Sequence, residues 1–155
     1  MKNEGRILAT DVDGDRLKRV DESCRRLGVD IVETRVLPRD AIDLADATFD
    51  RILLDVPCSN TGVLGKRPEV RWRLRPVDLA ELAAIQTRLL RSACSRLAPG
   101  GRLVYSTCSI EPEENRSVVE GVLRDHPEFT LIEELNHVPG QPADGGYQAL
   151  IKFLG

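Results

Sequence analysis

The sequence has few aromatic residues, few histidines and no paired cysteine spacing. Phe, Trp and Tyr make up 4% of 155 residues, with a single Trp. A sheet that binds nucleic acid by stacking bases needs more rings than that, so an aliphatic α/β sheet is the better expectation. Of the four cysteines no two are spaced C-x-x-C, and neither of the two histidines is near one in sequence. That pattern argues against a zinc site, and no metal is expected. A thiol protease is disfavoured too, because His126 and His137 fall in a helix end and a loop and read as surface residues. The net charge is −3, so no global attraction to nucleic acid is expected and any contact must be a local patch. No apolar run reaches the roughly 18 residues of a membrane span, and no signal peptide is evident. The expectation is a cytoplasmic protein with free thiols and no membrane partner.

Periodicity gives the order β-α-β-β-α-β-α-β-β within one domain's worth of chain. Residues 6–10 are a short apolar strand ending at Asp11. Residues 15–27 put Leu17, Val20, Cys24 and Leu27 on one helical face, and Gly28 stops the helix. Residues 31–37 alternate and are β-branched, a second strand, followed by a turn at Pro38-Arg39-Asp40. The connection 38–48 is short for a full helix. Residues 49–56 are a third strand, whose unalternated Ile52-Leu53-Leu54 predicts burial on both faces. A long loop, 58–76, precedes a helix at 77–97 with Leu79, Leu82, Ile85, Leu89 and Leu90 near one side. Leu97-Ala98-Pro99-Gly100-Gly101 reads as that helix's C-cap. Residues 102–106 are a fourth strand, and 112–124 a helix opened by a proline and glutamates. The segments 129–133 and 147–153 form an antiparallel pair joined through 136–146. The fold class is therefore α/β, a mostly parallel open sheet with an antiparallel C-terminal pair.

Ligands of open α/β sheets sit at the carboxyl ends of the strands. Asp11, Asp40, Asp55, Cys58 and Cys108 all fall at or just after such ends. An acid there suits ribose hydroxyls; the plain alternative for Asp11 is a helix cap, which Asp13 or Asp15 could equally supply. Asp40 is less distinct, with Asp43 and Asp46 close by. Cys58 and Cys108 stand out, because a thiolate is the strongest side-chain nucleophile near neutral pH. The helix expected from Pro112 favours a thiolate at Cys108, while Glu111, Glu113 and Glu114 oppose it. Cys24 and Cys94 read as small core residues. Lys66, Arg67, Arg71, Arg73 and Arg75 cluster around Trp72. That loop suits phosphates with the indole stacked on a base; the alternative is a solvated loop with Trp72 as a core plug.

The stretches Asp55-Val56-Pro57-Cys58-Ser59-Asn60-Thr61-Gly62, Arg67-Pro68-Glu69-Val70-Arg71-Trp72, Tyr105-Ser106-Thr107-Cys108-Ser109, Glu113-Glu114-Asn115 and Asp144-Gly145-Gly146-Tyr147 closely resemble motifs of the Sun/Fmu-type RNA cytosine-5 methyltransferases. The likeness is strongest to the bacterial enzymes that modify small-subunit ribosomal RNA. The resemblance implies a Rossmann-like class I methyltransferase sheet using S-adenosylmethionine. It implies that Cys108 attacks cytosine C6, and that Cys58 helps remove the C5 proton and release Cys108. Asp55 would hydrogen-bond the base beside the methyl donor. Asp11 would bind the cofactor's ribose and Asp40 its adenine. Lys66, Arg67, Arg71 and Trp72 would meet RNA, whose target base must be unpaired or extruded.

The family places a strand and a glycine-rich loop of the type Ala-Ala-Pro-Gly-Gly-Lys ahead of the strand at 6–10, and an RNA-binding portion before that. The sequence starts after both. Residues 1–155 are therefore expected to be a partial catalytic domain with weak cofactor binding alone, active when the N-terminal part is supplied. The alternative is a truncated, inactive remnant or an RNA-binding module that keeps the basic loop. The strand at 6–10 is expected to pair directly with the strand at 49–56, to stay open, or to find another chain.

Overall fold

A computed structural model describes residues 1–37, 47–140 and 143–155. The chain divides into two compact units, Met1–Ala45 and Asp46–Gly155. In the first unit, β1 (Ile7–Asp11) leads into α1 (Gly14–Leu27) and then β2 (Val32–Val36). The strands pair in parallel, Ile7 opposite Val32 and Asp11 opposite Val36. Asp13 caps α1 by accepting from Asp15 N, and Gly28 closes it in the left-handed conformation at φ 64°. Of the predicted helical face, Leu17 is buried, Val20 and Cys24 are half-buried, and Leu27 is exposed. Among the described residues β1 hydrogen-bonds to β2 alone.

The second unit carries a four-stranded sheet in the order β3-β4-β6-β5. Its strands are β3 (Phe49–Asp55), β4 (Leu97–Thr107), β5 (Phe129–His137) and β6 (Gly146–Phe153). β3 and β4 are parallel, and β6 runs antiparallel to both β4 and β5. Three of the four strands thus point one way, with the antiparallel pair expected at the C-terminus. A 3-10 turn (Thr61–Val63) and three helices, α2 (Val70–Arg73), α3 (Pro76–Cys94) and α4 (Arg116–Asp125), complete it. Leu90 and Cys94 of α3 and Val118, Val119 and Val122 of α4 close a core against Leu103, Tyr105, Tyr147, Ala149 and Ile151 of the sheet.

Three expectations need correcting. β3 is not buried on both faces: Ile52 and Leu54 pack against the core, but Leu53 is 74% exposed. Among the described residues the face of β3 that carries Leu53 is uncovered, and the strand pairs with β4 alone. Second, 97–101 is no helix cap. α3 ends at Ser95, and Phe49 N donates to Arg96 O, which recruits 97–101 into β4 through a register shift opposite Phe49 and Arg51. Third, α4 begins at Arg116, so Glu113 and Glu114 precede it and its first turn holds no acid. The loop 58–76 also contains the 3-10 turn and α2. The turn 38–40 and the connection 38–46 lie outside the described residues.

Candidate active site

Parallel pairing sets Asp55 of β3 opposite Ser106 of β4, so both strands deliver their next residues at one edge. Val56 N then donates to Ser106 O, extending the ladder past Asp55. Cys58 and Cys108 emerge from it with their Sγ atoms 3.1 Å apart. Both are free and half-buried. Burial, and then the hydrogen bond with Cys108, push the Cys58 thiol from 9.0 up to about 12. Asn60 sits at φ 64°, a left-handed conformation that Asn tolerates. Its Nδ2 donates to Cys58 O at 2.9 Å, which turns Oδ1 toward Cys108 Sγ at 3.1 Å.

Behind the sulfurs lies a buried polar cluster. The Glu114 carboxylate is fully buried and accepts four hydrogen bonds, from Ser59 N, Ser59 Oγ, Ser109 Oγ and Gln86 Nε2. Tyr105 Oη donates to Glu114 O at 2.6 Å and ties this turn to β4. The neighbouring Asn115 accepts from Thr107 Oγ1 and donates to Ser109 O, bracketing Cys108 on both sides. Gln86 Nε2 also donates to Pro57 O. Two acceptors fix its amide orientation, and its Oε1 is left without a partner among the described residues.

Close backbone approach completes the edge. Gly62 N donates to Cys108 O, and Gly145 N donates to Gly62 O. A Cβ on Gly62 would lie 2.3 Å from Gly145 O and 2.8 Å from Cys108 O. A Cβ on Gly146 would lie 2.7 Å from Thr107 O. The Asp144-Gly145-Gly146 stretch therefore packs directly against the Cys108 segment.

The basic stretch faces solvent. Trp72 on α2 is 84% exposed, which rules out the core plug. Arg67, Arg71 and Arg73 are exposed and pair with no described acid, whereas Lys66 pairs with Asp144 at 2.5 Å. Arg75 is spent locally. It forms a capping box with Asp78 at the start of α3, and that pairing raises the arginine and lowers the acid. A shallow groove beside them is lined by Ser59, Arg67, Glu69, Val70, Arg73 and Asp78, so it carries charges of both signs.

Asp55 is exposed at the end of β3. Asp11 is not the cap of α1. Its Oδ1 accepts from Asp13 N, and its Oδ2 faces the Arg16 guanidinium at 3.5 Å. Asp40 lies outside the described residues. No group of His, Cys, Asp or Glu suited to a metal occurs among the described residues, and no helix there is long and apolar enough to cross a membrane.

Sequence reasoning missed Glu114, Gln86 and Asn60. Glu114 read as a dipole-complementing acid, and Gln86 was not singled out within the helix at 77–97. The available signal was Ser59 and Ser109, each directly after a cysteine, with one acid turn close behind the second.

A family model described as 16S rRNA methyltransferase RsmB/F matches residues 1–153. The Ribosomal RNA small subunit methyltransferase B of Erwinia tasmaniensis is 42% identical over 96% of this chain and 37% of its own length. The chain thus spans about a third of the curated relatives it matches. Among solved structures, a methyltransferase homolog protein from Pyrococcus horikoshii is 32% identical with a TM-score of 0.78, covering 99% of this chain and 55% of that one. NSun6 from the same organism, solved with the S-adenosylmethionine analogue SFG, is 28% identical with a TM-score of 0.81, over 99% of this chain and 42% of that one. These likenesses agree with a Rossmann-like class I methyltransferase sheet.

Proposed function

The chain belongs to the 16S rRNA methyltransferase RsmB/F family, and from that premise we propose that it carries the reacting edge of an S-adenosylmethionine-dependent RNA cytosine-5 methyltransferase, with small-subunit ribosomal RNA as substrate. The observation that carries the reading is the Cys58–Cys108 pair at 3.1 Å.

The cofactor supplies an electrophilic methyl group on a sulfonium sulfur. Asp11 and Asp55, each within its own unit, offer acceptors for separate parts of it. Asp11 offers a carboxylate at a strand end for the ribose diol, held by one oxygen through Asp13 N. Asp55 offers an exposed carboxylate at the end of β3 for the base beside the sulfonium. Asp40 is assigned to the adenine.

The sulfurs have different tasks. Burial and the hydrogen bond with Cys108 hold Cys58 protonated, which suits it to wait while Cys108 attacks. The Cys108 thiolate adds to C6 of an extruded cytosine, forming an S–C6 bond and moving an electron pair to C5. Once methylated, C5 carries both a methyl group and a proton. Cys108 is then a thioether and its charge no longer raises the Cys58 thiol, while burial, the larger cause, still does. Cys58, after giving its S–H proton to solvent, takes the C5 proton as a thiolate, the C5–C6 double bond re-forms, and Cys108 leaves as thiolate. Arg67, Arg71 and Trp72 hold RNA next to this edge, with Lys66 joining when it leaves Asp144. A plain RNA-binding module would keep the basic stretch but give the close cysteine pair no task.

Bisulfite mapping of small-subunit rRNA tests the reaction. The chain is assayed alone and joined behind the N-terminal portion of the Erwinia tasmaniensis relative. A cytosine newly resistant to deamination supports the proposal; methyl transfer to any other atom refutes it.

A further inference from the structure

The buried carboxylate behind the sulfurs has no part in the chemistry above, yet it touches both cysteine segments. Its Oε1 accepts from Ser59 N at 2.8 Å and Gln86 Nε2 at 3.0 Å, and its Oε2 from Ser59 Oγ and Ser109 Oγ at 2.5 Å each. Ser59 follows Cys58 and Ser109 follows Cys108. The residue holding both is anchored from the other side, because fully buried Tyr105 donates to its backbone carbonyl. Other links between the segments run from Val56 N to Ser106 O, Ser59 Oγ to Ser109 Oγ, Cys108 Sγ to Asn60 Oδ1, Gly62 N to Cys108 O and Ile110 N to Thr61 Oγ1, and none of them binds the residue after each cysteine to a third group.

We propose that Glu114 is a positioning residue, whose carboxylate grips the residue after each cysteine and so fixes the distance between the Cys58 and Cys108 sulfurs. The inference rests on reading those two cysteines as an acting pair. A carboxylate is a poor choice for stability alone. Burying it costs several kcal/mol, and apolar residues of similar volume often serve as well. The cluster also leaves Gln86 Oε1 unpaired. What a carboxylate provides and an apolar residue does not is direction: Oε2 accepts from two segments that are 50 residues apart, while Oε1 accepts from Ser59 N and Gln86 Nε2.

Sulfur proximity can be read without RNA or methyl transfer. The azo oxidant diamide takes two electrons and the two S–H protons from a close thiol pair, becoming the hydrazine as the S–S bond forms. Peptide mass mapping then gives the rate of Cys58–Cys108 disulfide formation. Alkylation of buried Cys94 in the same samples reports whether the core is intact.

The unsubstituted chain should form the Cys58–Cys108 disulfide readily. Glu114→Gln has one acceptor oxygen where the cluster needs two, and should slow disulfide formation about tenfold or more while Cys94 stays protected. The double variant Ser59→Ala, Ser109→Ala keeps the carboxylate but removes both hydroxyls, and should be slowed in the same way. It keeps the test decisive if Glu114 variants lose their fold. Three results would overturn the inference: no disulfide in the unsubstituted chain, unsubstituted rates in both variants, or slowing that only tracks exposure of Cys94. Failure of Cys108 to react with RNA would instead overturn the proposed reaction and leave this result standing.

Discussion

The Sγ atoms of Cys58 and Cys108 lie 3.1 Å apart although 50 residues separate them in sequence. The parallel β3–β4 pairing sets their common edge, and the Glu114 cluster sets their closeness. Each consequence below follows from that edge or from the surface beside it.

Gly62 is the steric fulcrum of the two segments. Gly62→Ala puts a methyl group against two backbone carbonyls that cannot swing away, Gly145 O at 2.3 Å and Cys108 O at 2.8 Å. The expected loss is about 1–3 kcal/mol of stability, together with slower diamide closure of the cysteine pair. Gly65→Ala meets nothing within 4 Å and should stay within about 0.5 kcal/mol of the parent. Urea denaturation of both variants checks the contrast.

Stability should fall at alkaline pH. Burial raises the Cys94 thiol from 9.0 to about 12, and Cys58 is raised to about 12 as well. A thiol whose value is higher in the fold than in the unfolded chain stabilises fully below 9.0 and loses that contribution as pH climbs through 12. Buried Tyr105 and Tyr147, both also raised, add to the decline above their ordinary 10.0. Urea midpoints between pH 7 and 11 should drop from about pH 9 onward. Cys94→Ala should be less stable throughout but show a shallower alkaline slope.

Trp72 is a surface reporter. Since it is 84% exposed, Trp72→Ala should change stability by less than about 0.5 kcal/mol. Its loss should weaken single-stranded rRNA binding by about 1–3 kcal/mol. As the only tryptophan, it should also show fluorescence quenching when RNA is added. Arg67→Ala and Arg71→Ala should each weaken binding and lower the salt slope by about 1.

Most of the fold was legible because local pattern and tertiary role agree. Leu17 at helical spacing, Gly28 as a stop and the antiparallel pairing of β5 with β6 all behave as their sequence suggests. The failures fall where long-range pairing overrides local signals. Pro99-Gly100-Gly101 looks like a helix end but joins β4, because Phe49 N reaches Arg96 O. Leu53 looks like an interior residue, yet among the described residues its face of β3 is uncovered and the strand pairs with β4 alone. In the site, the two thiols were readable from their place at strand ends. Glu114 was not, because an acid before a helix suggests the helix dipole, and only tertiary structure shows two serines and a glutamine converging on it.

The central claim is that Cys108 attacks and Cys58 releases. It is tested by incubating the chain, joined behind the N-terminal portion of a full-length relative, with S-adenosylmethionine and small-subunit rRNA, then running denaturing gels. Cys58→Ala should accumulate a protein–RNA adduct that survives denaturation and maps to Cys108, while Cys108→Ala and the double variant should form none. An equal adduct in Cys108→Ala, or none in Cys58→Ala while the unsubstituted protein methylates the same RNA, would contradict the assignment.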